Sequence, residues 1–296
     1  MIARDPRPPR RPAALQAVLF DMDGLLVDSE PLWFVIEREV AERLGAPWGE
    51  ADQEALIGGS LERTVSYLLA KAAEPVTAGR EDVARWLVAG MAGLVLAHGL
   101  PLQPGAARLL AALDAVGVPC ALVTASSRAI MDAVLRATGL SFGVTVCGED
   151  VQRGKPDPEP YLRAAGLLGV PPSGCVVLED SPTGIAAARA AGCPVIAVPS
   201  VPVPPRPGLV AVKSLDEVGF DLLERAVTGN FADRGGAVTE KSWLGHNPGT
   251  TRAVLWRAGR RPRHSPGNGK ATRPVQLTGG ACGWTAWRST HHGSAT

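Results

Sequence analysis

Three short apolar runs end in polar residues whose types suit one kind of chemistry. Ala17-Val-Leu-Phe-Asp21 continues into Met22-Asp23-Gly24, Cys120-Ala-Leu-Val-Thr124 into Ala125-Ser126, and Cys175-Val-Val-Leu-Glu179 into Asp180-Ser181, with a Gly154-Lys155-Pro156 turn between the last two. Brought together, these segments supply four carboxylates, a hydroxyl and a lysine, a set that binds a hard cation and an anion at once. Close carboxylates repel one another unless a divalent cation neutralises them, and oxygen ligands without His or Cys favour Mg²⁺. The anion that accompanies Mg²⁺ in such sites is phosphate. A carboxylate can attack phosphorus and form an aspartyl-phosphate, dividing one hard step into two easier ones. Lys155 and Thr124 would then supply charge and a hydrogen bond to the phosphoryl oxygens. The Asp21-x-Asp23 pair alone is a weak signal, since paired acids also cap helices or face solvent. The order of all four segments carries the weight.

Those residues can meet only if the apolar runs are neighbouring strands. Val144–Cys147 and Pro194–Val198 are two further runs of the same kind, and helical patterns lie between them at Ala106–Val116, Arg128–Thr138, Pro160–Leu168 and Thr183–Ala191. Strands alternating with helices imply βαβ units with right-handed crossovers, hence an α/β fold with a doubly wound, Rossmann-like parallel sheet. In such sheets ligands bind at the carboxyl ends of the strands, where the polar residues fall. Residues 31–99 break the alternation with three helical patterns, Leu32–Leu44, Leu61–Ala73 and Glu81–Ala97. This predicts a helical cap inserted after the first strand, over the carboxyl end of the sheet. From Val210 to Val227 the pattern adds a short strand and a last helix. The expected organisation is a disordered leader (1–14), an α/β core (15–30 and 100–228), the cap (31–99) and a disordered tail (229–296).

Composition narrows the alternatives. The 296 residues carry a net charge of +1, but residues 15–228 hold 16 Lys+Arg against 26 Asp+Glu, while the two ends are basic. Among the five histidines only His98 lies in the body, so a Ser-His-Asp arrangement or a His-based metal site has little to build on. Cys120, Cys147, Cys175 and Cys193 sit in apolar runs without zinc-ligand spacing and read as buried thiols. The N-terminus lacks an apolar signal core, which points to the cytoplasm. Trp86–Ala107 contains no charged residue, yet His98, Pro101 and several glycines favour a buried helix over a membrane span. Gly148–Lys155 has neither the spacing nor the Ser/Thr of a P-loop.

The motifs DMDGLLVDSEPLW (21–33), LVTASS (122–127), GKPDPEPY (154–161) and LEDSPTGIAAARAAG (178–192) resemble the four motifs of the haloacid dehalogenase-like superfamily. The helical insertion resembles its C1-capped branch. The wording is most similar to the sugar-phosphate phosphatases of that superfamily, including 2-deoxyglucose-6-phosphate and hexitol phosphatases, and less so to β-phosphoglucomutase. The resemblance spans about residues 17–227. It implies Asp21 as nucleophile and magnesium ligand, and Asp23 as general acid/base with its backbone carbonyl on the metal. Asp180 would complete the metal site, and Glu179 would be a further ligand or a group behind the ligands. Thr124, Ala125 and Lys155 would bind the phosphoryl group. It further implies a small phosphorylated metabolite as substrate, and a monomer. In the capped branch the loop at Gly58–Arg63 reads the substrate, so Ser60, Glu62 or Arg63 would contact it. The alternative is a helix N-terminus capped by Ser60.

Two other functions stay open at this point. A phosphomutase of the same architecture would pass the phosphoryl group to sugar instead of water. A nucleic-acid binder would use the basic ends, since residues 229–296 combine ten Lys+Arg with four Trp. Neither membrane nor nucleic acid is the expected partner.

Overall fold

The apolar runs become strands of one parallel sheet in the computed structural model of the chain, which describes residues 14–56, 59–73, 78–199 and 209–229. The strands are β1 (Ala17–Phe20), β2 (Cys120–Val123), β3 (Val144–Val146), β4 (Cys175–Glu179), β5 (Val195–Ala197) and β6 (Val210–Ala211). Their order is β3-β2-β1-β4-β5-β6, and every pair is parallel. The chain winds outward from β1 in one direction, then returns to β4 on its other side and winds the opposite way. That reversal leaves a crevice at the carboxyl ends of β1 and β4.

Successive strand residues face opposite sides, so each uncharged run supplies two cores. Val18, Phe20, Leu122, Val176, Leu178 and Ile196 pack on one face. Ala17, Leu19, Ala121, Val123, Val177 and Val195 pack on the other. Helices α5 (Ala106–Ala115), α6 (Arg128–Thr138), α7 (Glu159–Leu168) and α8 (Pro182–Ala190), each leading into the next strand, and the last helix α9 (Phe220–Thr228) cover the faces. Cys147, Cys175 and Cys193 are buried, Cys120 is half-buried, and all four are free thiols.

Between β1 and α5 the described residues form four helices: α1 (Glu30–Arg43), α2 (Glu50–Leu56), α3 (Leu61–Lys71) and α4 (Arg80–His98). The segments that leave and re-enter the core run side by side. Val27 bridges Leu102, Asp28 N–H donates to Pro101 O at 3.2 Å, and Gln103 N–H donates to Leu26 O at 2.8 Å. The sequence pattern omits α2, because in its seven residues only Asp52 and Leu56 are buried and no apolar stripe shows. The uncharged stretch from Trp86 falls largely in α4. Its Leu87, Met91 and Val95 are buried at helical spacing, and α4 packs against α6 and α1. Among the described residues no helix is long and apolar enough to cross a membrane. The expected leader and tail lie, but for Ala14 and Gly229, outside the described residues.

Candidate active site

Asp21 directly follows β1, and its N–H still donates to Leu178 O of β4 at 3.1 Å. Thr124 follows β2 in the same way, its N–H on Val146 O at 2.9 Å. Asp180 follows β4. The sheet hydrogen bonds therefore run up to the residues expected from the sequence to carry the chemistry, so the strands hold those side chains in place. Gly24 turns the chain after β1 with φ +82°, a conformation that L side chains rarely adopt, and a Cβ there would also overlap the Asp180 carboxylate.

Lys155 is the buried cation of the group. Its Nζ pairs with Asp21 Oδ1, donates to Glu179 Oε1 at 2.7 Å and donates to Val123 O at 3.0 Å. Glu179 is fully committed. Its Oε1 also accepts from Tyr161 OH at 2.8 Å, and its Oε2 accepts from the N–H and hydroxyl of Ser181 at 2.9 and 3.0 Å. Burial pushes the Asp21 carboxyl well above the ordinary range; Lys155 opposes this, and Glu179 and Asp180 add to it. Burial works against charge on Lys155 too, but Asp21 and Glu179 outweigh it and hold the amine in its charged form. Tyr161 is kept a neutral donor by burial and the Glu179 charge.

Asp23 is held by hydroxyls. Ser29 donates to its Oδ1 at 2.7 Å, while Ser126 and Thr124 donate to Oδ2 at 2.8 and 3.3 Å. Ser29 occupies the N-cap position of α1, yet its side chain makes no capping bond. A capping hydroxyl contributes about 1 kcal/mol to a helix, so its diversion to Asp23 favours the site over the helix.

A cavity of about 300 Å³ opens above these groups, lined by Asp21, Asp23, Thr124, Ala125, Lys155 and Asp180 from the core. Glu30, Trp33 and Glu37 of α1, Gln53 and Leu56 of α2, and Ser60, Arg63 and Thr64 at α3 line its other side. Ser60 unites the two readings of its loop, since it lines the cavity and its hydroxyl also caps α3, accepting from Arg63 N–H at 3.3 Å. Arg63 lines the cavity while its Nη2 donates to Ala55 O at 2.7 Å. Glu62 does not belong with them. One helical step of about 100° turns its side chain away, where it is 85% exposed and pairs with Arg80 at 3.6 Å.

Residue spacing did not single out Ser29, Ser126, Tyr161, Glu30, Trp33 or Glu37, although all but Glu37 lie inside the recognised motifs. Glu30, Trp33 and Glu37 stand at i, i+3 and i+7, one face of a helix, and that spacing was the available signal.

Oxygen ligand atoms of Asp21, Glu179 and Asp180 lie within 4.8 Å of one another, all three residues buried. An all-oxygen set of clustered, buried carboxylates suits a hard divalent cation such as Mg²⁺.

Residues 15–192 match the family model described as haloacid dehalogenase-like hydrolase. Hexitol phosphatase A of Escherichia coli is 37% identical over 190 residues, covering 61% of this chain and 81% of that protein. The crystal structure of CbbY from Rhodobacter sphaeroides in complex with xylulose-(1,5)bisphosphate superposes with a TM-score of 0.63 at 29% identity, over 69% of this chain and 96% of that one. A putative β-phosphoglucomutase from Thermotoga maritima gives a TM-score of 0.55 at 29% identity, over 73% and 98%. The fold is thus shared with a hexitol phosphatase relative and with structures of enzymes of phosphorylated carbohydrates. The chain belongs to the haloacid dehalogenase-like hydrolase family, and it is an enzyme.

Proposed function

We propose that the protein is a Mg²⁺-dependent phosphatase that hydrolyses the monoester of a small sugar or sugar alcohol, through an aspartyl-phosphate on Asp21. The observation that carries this reading is the convergence of Asp21, Lys155, Thr124 and Asp180 on one cavity wall, with Asp23 held beside them by three hydroxyls. The hexitol phosphatase relative supports the substrate class.

Asp21 attacks phosphorus, a new P–O bond forms to its carboxylate, and the bond to the substrate oxygen breaks. Asp23 gives its proton to the departing alkoxide, which leaves as an alcohol. Asp23 then takes a proton from water as that water attacks the aspartyl-phosphate, releasing phosphate and restoring Asp21. Thr124, the Ala125 backbone and Lys155 bind the phosphoryl oxygens. Asp21, Asp180 and the backbone carbonyl of Asp23 would hold Mg²⁺, with Glu179 behind them anchoring Lys155. The ion supplies positive charge that offsets the carboxylates and the phosphate. In this reading the protein works as a monomer in the cytoplasm; in support of the first, side chains of this one chain line both walls of the cavity.

Release of phosphate from p-nitrophenyl phosphate and a sugar-phosphate panel, with Mg²⁺ and with EDTA, tests the reading. Asp21→Asn is expected to lose at least ~10³-fold in kcat, and unchanged turnover in that variant would overturn the proposal. An isomerised sugar phosphate formed without free phosphate would redirect it to the mutase reaction.

A further inference from the structure

The face of α1 that carries Glu30, Trp33 and Glu37 turns into the cavity opposite the phosphoryl-binding wall. Glu37 is only 5% exposed. Its carboxylate nevertheless accepts no hydrogen bond from, and forms no ion pair with, any described residue. Its nearest charged influence is Glu30, a like charge. Glu30 in turn faces Asp23 and Asp28, also acids.

The cations of the cavity do not compensate this pair. Lys155 is committed to Asp21 and Glu179, and Arg63 donates to the Ala55 carbonyl. Gln53, Thr64 and Trp33, which are uncharged, also line this cavity. A buried carboxyl without a partner costs free energy in the empty protein, and a ligand that brings hydrogen-bond donors removes that cost. An anion at the same place increases it.

We propose that Glu30 and Glu37 select the end of the substrate remote from the phosphate: they accept hydrogen bonds from hydroxyl groups there and reject a second anion. The substrate is then a polyol monophosphate, and bisphosphates and phosphorylated carboxylic acids are excluded by charge. This rests on the phosphatase reading and adds the residues that set its specificity. Trp33 offers the CH face of a polyol an apolar surface beside the two acceptors, and Gln53 adds a group that both donates and accepts. Burial and Glu30 push Glu37 up to about 8, while burial, Asp23 and Asp28 push Glu30 up to about 7. Near neutral pH the pair therefore keeps about one proton and one negative charge. A neutral carboxyl and a carboxylate on one helix face suit hydroxyls, which donate and accept together.

Sorbitol 6-phosphate and 6-phosphogluconate differ at the remote carbon, CH₂OH in one and carboxylate in the other, and so form the matched probe. The wild type is expected to favour sorbitol 6-phosphate in kcat/KM by at least ~20-fold, within the range a misplaced charge can impose. In Glu30→Gln, and in Glu30→Gln with Glu37→Gln, that ratio is expected to fall at least ~5-fold, because an amide at the position that carries the charge removes the repulsion without changing shape. The ratio is taken on one preparation, so partial misfolding cancels from it. A wild-type ratio near one, or a ratio unmoved by both variants, overturns the inference. Turnover of p-nitrophenyl phosphate separates the two claims. If it is intact, only the specificity assignment fails; if it is absent, the phosphatase reading fails first and takes the assignment with it.

Discussion

Gly184 of α8 lies so close to Glu179 that a Cβ at this position would overlap the Glu179 carboxylate. The first turn of α8 thereby presses Glu179 against Lys155, and Lys155 against Asp21. Gly184→Ala must move that carboxylate or the helix. Overpacking of this kind costs about 1–3 kcal/mol, which lowers Tm by ~2–4 °C per kcal/mol for a domain of this size. Differential scanning fluorimetry reads that shift. Because the displaced group anchors Lys155, kcat is expected to fall more than tenfold, beyond what the stability loss explains.

Ser29 donates to Asp23 at the start of α1 instead of capping the helix. Ser29→Ala frees one oxygen of Asp23, the proposed general acid/base. Steady-state kinetics are expected to show kcat reduced about tenfold with KM nearly unchanged. Ser29→Thr, which keeps the hydroxyl, is expected to restore most of the loss.

Buried Asp21 and Asp180 beside Glu179 repel one another in the absence of a cation. Added Mg²⁺ is therefore expected to raise Tm. At a hundred times the dissociation constant the stabilisation is about 2.7 kcal/mol. Asp180→Asn is expected to abolish most of this thermal shift. A shift that survives the substitution would place the ion elsewhere.

Burial and Glu30 raise Glu37 to about 8 in the folded chain, against an ordinary value of 4.5. The folded state therefore holds a proton that the unfolded state releases between those values. Its contribution to stability is complete below pH 4.5 and is lost as pH rises towards 8. Tm of the wild type is expected to decline over the upper part of that range, and Glu37→Gln is expected to flatten the decline. A parallel pH profile in the variant would assign the decline to other groups.

Sequence alone determined the architecture and the chemical half of the site. Uncharged strands that end in Asp21, Thr124 and Glu179 leave little choice but a parallel sheet with its polar ends together, because a strand buried on both faces has no other sequence pattern. The core residues that line the cavity were legible for the same reason: strand ends are local features, and the sheet order aligns them. The cap was legible as helices but not as a surface. Neither the absence of α2 from the pattern nor the outward turn of Glu62 could be avoided, since a short helix with two buried residues carries no stripe and a helix end leaves its rotation undetermined. Only tertiary packing decided which face of α1 meets the cavity. That packing diverts Ser29 from capping to Asp23, and it leaves Glu37 buried beside Glu30 with no described partner. Such pairings join residues of different elements through space, and spacing along one chain does not encode them.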